Sequence, residues 1–372
     1  ISGRNHIFMN KSSFGNHFTV TTWGESHGKA LGAVVDGCPA GLSLNEEDIQ
    51  KFLDRRKPGQ SRYTTARKEG DLVEILSGVF EGKTTGTPIS LIVRNTDQRS
   101  RDYGNIAYTY RPGHADFTFD AKYGFRDYRG GGRSSGRETI GRVAAGAIAA
   151  KILETLEISF YTYTKSIGPV KIESFDAEEI SKNAFYMPDA KAAEAAGAYL
   201  EECMKNQDSA GGIIECRIKN VPAGLGNPVF EKLDAVLAEA VMSIGAVKAV
   251  EIGDGIQVSA MKGSEDNDGF HMENGQITKN SNHAGGIMGG MSDGSEIILR
   301  AAIKPTPSIS QPQNTVTDSG EETSLEIHGR HDPVIVPRAV VVVESMCALA
   351  IVDALFSNMT SQMDRIQEFY QK

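Results

Sequence analysis

The sequence predicts an α+β fold, with layers of β-sheet and α-helix in a single large domain. The chain has 372 residues, of which 40% are hydrophobic and 23% charged, which is ordinary globular usage. Strand-like and helix-like segments alternate along it, and no linker-like stretch separates them. Residues 1–8 are predicted to be a non-native remnant ahead of a native start at Met9, so the domain is expected to span residues 9–372.

The first quarter of the chain carries mainly strand signals. Runs rich in β-branched and aromatic residues predict strands over four segments, at residues 18–23, 33–35, 72–80 and 89–93. One helix interrupts them. Asn45 is placed to cap it, Ile49 and Leu53 supply its apolar face, and it is expected to end before Pro58.

The remaining elements alternate in the same way. Ser135 and Glu138 form an S-x-x-E capping box ahead of an apolar helix. Further helices are predicted over residues 190–204 and 229–243, and strands over residues 211–219 and 297–303. Residues 340–343 have strand propensity, but residues 339–356 as a whole are long enough for a buried helix, which we favour. Residues 99–132 show no period, and their many aromatic residues favour a long functional segment over disorder.

The charge pattern points to a small anionic ligand. The net charge is −9, yet residues 51–71 and residues 99–142 each carry a net charge of +4. Two basic islands in an acidic protein suit a focused anion site, whereas a nucleic-acid binder is more often basic over a whole face. The chain is therefore expected to bind no nucleic acid.

The cysteines and the hydropathy indicate a soluble cytoplasmic protein. The four cysteines form no CxxC pair and no metal-ligand spacing, which favours a reducing compartment and no metal site. The most apolar run, residues 339–352, contains Glu344 and is too short to cross a bilayer. No membrane association is expected.

Two arginine-rich segments are suited to phosphate or carboxylate. In GGGRSSGRE, residues 130–138, a triple glycine leads into a helix start beside Arg133 and Arg137, and free N–H groups there attract anions. In DRRKPGQSR, residues 54–62, Arg55, Arg56 and Arg62 either bind an anion through their guanidinium groups or form a solvated helix end.

Two histidines and two carboxylates are candidates for proton transfer. GESHG sets His27 between glycines, and RPGHAD supplies His114 next to Arg111 and Asp116. Imidazole titrates near neutral pH, although a histidine in a turn with a local hydrogen bond is the simpler interpretation. Asp116 could orient the imidazole or cap a turn. In GRHDP, Asp332 could be a helix N-cap or a catalytic carboxylate.

These segments, in this order, resemble the chorismate synthase family. The similarity covers residues 13–352 and includes FGNHFTVTTWGESHG, LDRRKPGQSRYTTARKE, NTDQRSRDY, YRPGHADFTFDAKYGFRDYRGGGRSSGRET, NHAGGIMGG, AAIKPTPSI and GRHDPVIVPRAVVVVE. The resemblance implies a β-α-β sandwich and a homotetramer. It also implies conversion of 5-enolpyruvylshikimate 3-phosphate to chorismate by a 1,4-anti elimination of phosphate, which requires reduced FMN (FMNH2) but involves no net redox change.

The resemblance also assigns roles to residues of this sequence. His27 is expected to protonate the departing phosphate, His114 to protonate reduced FMN, and Asp332 to assist flavin N5 as a base. Arg56 and Arg62 match positions linked to NADP in relatives; we interpret them, with Arg55, as substrate-binding, and add Arg111 and Arg137 by charge and placement. The implied FMN contacts are Arg133, Ser134, Ser135, Gly245, Ala246, Gly289, Lys304, Pro305, Thr306, Pro307, Ser308 and Arg330.

One departure and one rival follow from the same comparison. Relatives often carry Asn or Gln where this chain has Gly245, so a side-chain contact to FMN is expected to be missing there. A flavin-dependent oxidoreductase is the rival class, but it would need a hydride-donor site and the sequence has no dinucleotide fingerprint. Relatives that reduce their own flavin with NADPH usually carry added insertions, so the short length of this chain predicts that reduced flavin comes from an external reductase that uses NADPH.

Overall fold

Two antiparallel β-sheets form the outer layers of the protein. The computed structural model describes residues 12–63, 70–96, 106–327 and 332–371. Within these residues, the first sheet has the order β1 (Ser13–Phe14), β2 (Thr19–Gly24), β3 (Ala30–Asp36), β7 (Ile89–Arg94) and β4 (Val73–Ile75). The second sheet has the order β11 (Val247–Ile252), β16 (Ile297–Ile303), β10 (Gly212–Lys219), β8 (Ser159–Ile167) and β9 (Val170–Lys171).

Short hairpins lie beside these sheets in the described part of the chain. They pair β5 (Val79–Phe80) with β6 (Lys83–Thr84), β12 (Phe270–Glu273) with β13 (Gln276–Lys279), β14 (Ile287–Met288) with β15 (Met291–Ser292), and β17 (Gln313–Val316) with β18 (Glu322–Leu325).

Two helices, the third and the seventh along the chain, lie between the two sheets. The bounds of the described helices are α1 (Glu46–Arg56), α2 (Asp116–Tyr123), α3 (Thr139–Glu154), α4 (Ala190–Lys205), α5 (Leu233–Met242), α6 (Gly263–Asp266), α7 (Val336–Asn358) and α8 (Met363–Tyr370). Helix α3 packs on β2 and β3 of the first sheet, α7 packs on β8 and β10 of the second, and α3 and α7 pack on each other. One hydrophobic cluster runs through all of these layers, which confirms the α+β class and the β-α-β layering.

Small residues let the central helices approach closely. A Cβ atom placed on Gly146 of α3 would lie 2.2 Å from the Cβ atom of Ser345 of α7, so only glycine fits there. Helix α7 has 23 residues and is long and apolar enough to cross a membrane, but 78% of its apolar window is buried inside the protein. It is therefore the core helix that the sequence favoured over a strand.

Several predicted elements lie where the sequence placed them. Strands β2, β3, β7, β10 and β16 and helices α1, α4 and α7 match predicted segments within a few residues. The cap of α1 is a full capping box, because the Asn45 side chain accepts from the Asp48 N–H and the Asp48 carboxylate accepts from the Asn45 N–H, both at 3.1 Å.

Other predictions were wrong in ways that the chain explains. The single strand over residues 72–80 is divided into β4 and β5, because Gly78 turns the chain at φ +80°. Helix α5 begins at Leu233 rather than residue 229, since residues 227–231 close a turn from the Asn227 N–H to the Glu231 carbonyl. Helix α2 lies inside the segment predicted to be aperiodic. Strand β8 was missed.

Candidate active site

His27 lies in the tight turn between β2 and β3. Gly24 starts this turn at φ +88°, and a Cβ atom added to it would lie 2.3 Å from the Ala30 carbonyl oxygen. The Gly28 N–H closes the turn on the Glu25 carbonyl at 3.1 Å, and the His27 Nδ1 atom lies 3.1 Å from the Ser26 hydroxyl. The turn thus presents a partly buried imidazole at the end of a rigid strand pair.

The glycine-rich segment lies directly against this imidazole. Gly130 has φ +78°, and a Cβ atom on it would lie 2.5 Å from His27 Nδ1 and 3.0 Å from the Ser26 hydroxyl oxygen. Glycine at this position therefore serves close approach to His27 as well as the left-handed backbone.

We expect Gly130→Ala to lower kcat about 100-fold, because the added methyl must displace the His27 ring by about 1 Å. Gly132→Ala is the matched control. Gly132 is also left-handed, at φ +51°, but nothing lies within 4 Å of its Cβ position. Both variants should lose about 1–2 kcal/mol of stability from backbone strain, as measured by urea unfolding. Equal kcat values for the two variants would show that the close packing of Gly130 on His27 does not affect the reaction.

Asn95 connects the His27 turn to a buried arginine. Its Nδ2 atom donates to the carbonyls of Glu25 at 3.2 Å and Gly28 at 2.8 Å. Its Oδ1 atom accepts from Arg137 Nε at 3.0 Å and Arg137 Nη2 at 2.7 Å. Both ends of one amide are thus used, although Asn95 was assigned no role from the sequence.

Asp71 joins Arg137 to Arg56. Its Oδ1 atom lies 3.1 Å from Arg137 Nη1, and its Oδ2 atom lies 2.8 Å from Arg56 Nη1. The Arg56 residue is only 1% exposed, and its Nη2 atom is buried without a hydrogen-bond acceptor among the described residues. Burial lowers the pKa of Arg56 to about 9, against the attraction of Asp71, so the guanidinium stays charged at neutral pH.

A third arginine brings Asp332 to the same place. Arg338 Nη1 lies 2.5 Å from Asp332 Oδ2, and Arg338 Nε donates to the Arg56 carbonyl at 3.0 Å. The group now contains three guanidinium groups, from Arg56, Arg137 and Arg338, and two carboxylates, from Asp71 and Asp332. The excess positive charge, and the Arg56 nitrogen that meets no acceptor in the described part of the chain, suit an incoming anion.

His114 faces the KPTPS loop, residues 304–308. Its Nε2 atom lies 2.9 Å from the Ser308 hydroxyl, and Lys304 Nζ donates to the Gly113 carbonyl at 2.7 Å. A Cβ atom on Gly113 would lie 2.7 Å from the Pro307 Cβ atom, so these two loops pack without space between them. Burial, together with Lys248, lowers the pKa of Lys304.

The KPTPS loop also contacts the other predicted cofactor segments. The Lys304 N–H donates to the Ala246 carbonyl at 2.9 Å, which places Gly245 and Ala246 beside it. The Ser209 hydroxyl donates to the Thr306 carbonyl at 2.6 Å. The Thr306 Oγ1 atom is buried and has no partner among the described residues. The neighbouring Ala210 N–H donates to the Pro333 carbonyl at 2.9 Å, which brings the Asp332 segment to this loop.

Arg111 connects the His114 side of the site to the His27 side. It binds Asp116 through two parallel hydrogen bonds of 2.8 and 2.7 Å, and its Nη2 atom also donates to the Gly130 carbonyl at 2.9 Å. Burial opposes ionisation of Asp116, but the bonds from Arg111 prevail and lower its pKa. Arg111 was expected to bind substrate; in the structure its guanidinium binds Asp116 and the Gly130 carbonyl. Asp116, which was expected to orient the imidazole or cap a turn, instead holds Arg111.

The RSSGRE segment folds differently from the sequence prediction. The Ser135 hydroxyl accepts from the Arg137 N–H at 3.3 Å and caps a 3-10 turn, so the α-helix begins only at Thr139. The predicted capping box is wrong, because the Glu138 carboxylate accepts from Thr22 Oγ1 and Arg142 Nε, both at 2.8 Å. These long-range partners outweigh the local cap.

The first two residues of this segment also make contacts within the protein. Arg133 donates to the Gly24 carbonyl at 3.2 Å and to Thr22 Oγ1 at 2.7 Å, which fixes the start of the His27 turn. The Ser134 hydroxyl donates to the Gly131 carbonyl at 2.7 Å.

Three predicted residues lie apart from these contacts, and a fourth cannot be placed. Arg55 makes a bidentate pair with Glu344 of α7, at 2.7 and 2.8 Å. Arg62 is 72% exposed at its side chain and pairs with Glu201 of α4. Gly289 lies at the tip of the β14–β15 hairpin. Arg330 falls outside the described residues.

Comparisons with known proteins show the family of the chain. The chorismate synthase family model matches residues 18–356. The chain belongs to the chorismate synthase family. It is 65% identical over 366 residues to the chorismate synthase of Agathobacter rectalis, covering 98% of this chain and 100% of that protein. It is 64% identical over 367 residues to that of Lachnoclostridium phytofermentans, covering 98% and 100% respectively.

A solved structure supports the same assignment. The crystal structure of a chorismate synthase superposes with a TM-score of 0.76 at 32% identity, covering 96% of this chain and 97% of that chain. Chorismate synthases are carbon–oxygen lyases of the shikimate pathway, and the family uses reduced flavin. The chain is therefore an enzyme of this class.

Proposed function

We propose that the protein converts 5-enolpyruvylshikimate 3-phosphate to chorismate and phosphate by 1,4-anti elimination with reduced FMN. The single observation that carries this is the buried Arg56–Asp71–Arg137 group, in which one Arg56 nitrogen has no acceptor among the described residues, and which is joined through Asn95 to the His27 turn. Guanidinium groups that are linked by hydrogen bonds to the turn of an acid candidate suit a phosphate that must be protonated as it leaves.

The arginines divide into binding and positioning roles. Arg56 and Arg137 are proposed to bind the substrate's phosphate or carboxylates, and Arg338 joins them because it lies against Asp332 and the Arg56 carbonyl. Arg111 is proposed to hold the two histidine loops together. Arg55 is proposed to hold α1 on α7.

The proton steps fall to His27 and Asp332. His27 is proposed to donate a proton from its imidazole to the departing phosphate, since its turn is fixed by Arg133 and Asn95. Asp332, whose Oδ2 atom accepts from Arg338, is proposed to assist removal of the C6 proton. His27 acts where the phosphate leaves and Asp332 where the C6 proton leaves, so no single residue has to serve as both acid and base.

The KPTPS side of the site fits FMN. The Thr306 hydroxyl is buried without a partner among the described residues, Lys304 supplies a cation, and the Cβ position of Gly245 faces open space. Gly289, in the β14–β15 hairpin, stays a proposed contact although its Cβ position lies apart from this loop. His114, Arg133, Ser134, Ser135, Ala246 and Ser308 complete the proposed set. Reduced FMN, when bound, supplies electron density for phosphate departure and a basic N5 atom. His114 is proposed to hold the proton that balances the flavin charge.

We expect Gly245→Asn to tighten FMN binding by about 1 kcal/mol, because the amide can make one further hydrogen bond. The Cβ position at Gly245 meets nothing within 4 Å, so the side chain fits without a clash. Gly245→Ala is the control, since it adds the Cβ alone. Flavin titration followed by fluorescence quenching gives both dissociation constants. An unchanged constant for the asparagine variant would remove Gly245 from the cofactor set.

The reaction itself can be tested with purified protein. We expect chorismate absorbance and inorganic phosphate to appear in equal amounts when substrate is mixed anaerobically with dithionite-reduced FMN. Oxidised FMN and a flavin-free sample are the controls. No product from folded protein that binds reduced FMN would refute the proposed reaction.

The oligomeric state, the compartment and the source of reduced flavin are also proposed from this chain. We propose a cytoplasmic homotetramer that receives reduced flavin from an external reductase that uses NADPH. The four cysteines are free and buried, which suits a reducing compartment. Oxidation of NADPH by the pure protein with FMN would contradict the external source.

A further inference from the structure

We infer that Asn95 is a positioning residue that holds His27 in place through the backbone of its turn. This inference rests on the proposed function, because it concerns the proton that His27 is proposed to deliver. Asn95 sits immediately after β7, and its own N–H donates to the Lys29 carbonyl at 3.1 Å. Its backbone and its side chain therefore both reach the His27 turn.

The side-chain contacts are specific to an amide. Nδ2 donates to the carbonyls of Glu25 and Gly28, the residues at the two ends of the turn that closes at 3.1 Å around Ser26 and His27. Oδ1 accepts two hydrogen bonds from Arg137. Only a group with a donor end and an acceptor end can satisfy both neighbours at once.

Three residues restrain the His27 turn from different sides. Gly130 limits the ring from one direction by close approach, and Arg133 fixes the start of the turn at the Gly24 carbonyl. Asn95 restrains the far end of the turn at Gly28. Without the Asn95 side chain, the turn loses the hydrogen bonds at its Glu25 and Gly28 carbonyls.

Asn95 also couples His27 to the anion-binding arginines. Arg137 is held on its other side by Asp71, which holds Arg56. The described hydrogen bonds therefore run without a break from Arg56 to the His27 turn. An anion bound at these guanidinium groups and the acid that protonates it share one rigid frame, which is what proton transfer requires.

The test uses two variants and a double-mutant cycle, all read as kcat at saturating substrate. Asn95→Ala removes both ends of the amide. Asn95→Asp keeps an acceptor for Arg137 but turns an oxygen toward two carbonyls, so it would restore activity only if the role ran through Arg137. We expect kcat to fall about 100-fold in both, as for a misplacement of about 1 Å.

The cycle separates positioning from a general structural role. In a His27→Ala background, Asn95→Asp is expected to cause no further loss in kcat, because the group that it positions is already gone. Asn274→Asp, an exposed turn residue between β12 and β13, is the matched control and should keep wild-type kcat.

Two outcomes would overturn the inference. One is a kcat within threefold of wild type for Asn95→Asp. The other is a loss of kcat in the double variant that equals the product of the losses in the two single variants, as for independent residues. If Asn95→Ala fails to fold, the aspartate variant and its cycle decide. Absence of product from the wild type would instead refute the proposed function, so the two failures are distinguishable.

Discussion

Replacing His27 by alanine is expected to lower kcat by about 10²–10⁴-fold, the usual contribution of a positioned general acid. The fold should survive, because His27 lies on a surface turn outside the hydrophobic core, where its Nδ1 atom lies 3.1 Å from the Ser26 hydroxyl. The rate is measured as chorismate formation at saturating substrate and reduced FMN, and unfolding by urea checks the fold.

His271→Ala is the matched control for this experiment. His271 lies on the exposed strand β12 and contacts Thr278 across the hairpin, so its loss should leave kcat unchanged. A His27 variant that keeps more than a tenth of the wild-type kcat would exclude His27 as the acid for phosphate departure.

Asp71→Asn is expected to destabilise the protein by about 3–5 kcal/mol, the cost of leaving a buried charge without its partner. Asp71 is buried between Arg56 and Arg137, and Arg56 already has one unpaired nitrogen among the described residues. Asparagine tolerates the left-handed backbone at φ +45°, so the change removes the charge and little else. Urea unfolding measures the loss.

The control and a rescue experiment sharpen this prediction. Asp36→Asn removes an exposed carboxylate at the end of β3 and should change stability by less than about 0.5 kcal/mol. Inorganic phosphate should stabilise the Asp71 variant more than the wild type, because the two arginines then have an anion to bind. Equal stability of Asp71→Asn and wild type would show that the two guanidiniums do not depend on Asp71.

Local sequence signals predicted the parts of the fold that local interactions decide. The cap at Asn45 predicted the start of α1, and the length of the apolar run favoured a helix for α7. The cap predicted at Ser135 was wrong because Glu138 binds Thr22, which lies 116 residues away along the chain. A propensity that depends on four neighbouring residues cannot anticipate such a partner.

In the candidate site, too, local motifs were predicted from the sequence but long-range partners were not. GESHG, RPGHAD and KPTPS identified His27, His114 and Lys304, whose loops the structure brings together through Arg111 and Gly113. The charge pattern could not show which arginines have internal partners. Arg55 pairs with Glu344, 289 residues away, and its neighbour Arg56 turns to Asp71.

The residues that sequence reasoning missed act by bridging distant segments. Asn95 and Asp71 carry no motif of their own that indicates chemistry, and Arg338 lies inside an apolar helix start. Only their partners reveal them. Arg111 and Asp116, by contrast, are only five residues apart, so spacing alone could have suggested that they pair.

The most direct test of the proposed elimination is turnover with limiting flavin. Purified protein is mixed anaerobically with excess 5-enolpyruvylshikimate 3-phosphate and less than one equivalent of reduced FMN, while chorismate and the flavin spectrum are followed together. We expect many equivalents of chorismate per flavin, with the flavin still reduced when substrate is exhausted. Product limited to one equivalent per flavin, with matching flavin oxidation, would show a net redox reaction and contradict the proposed elimination.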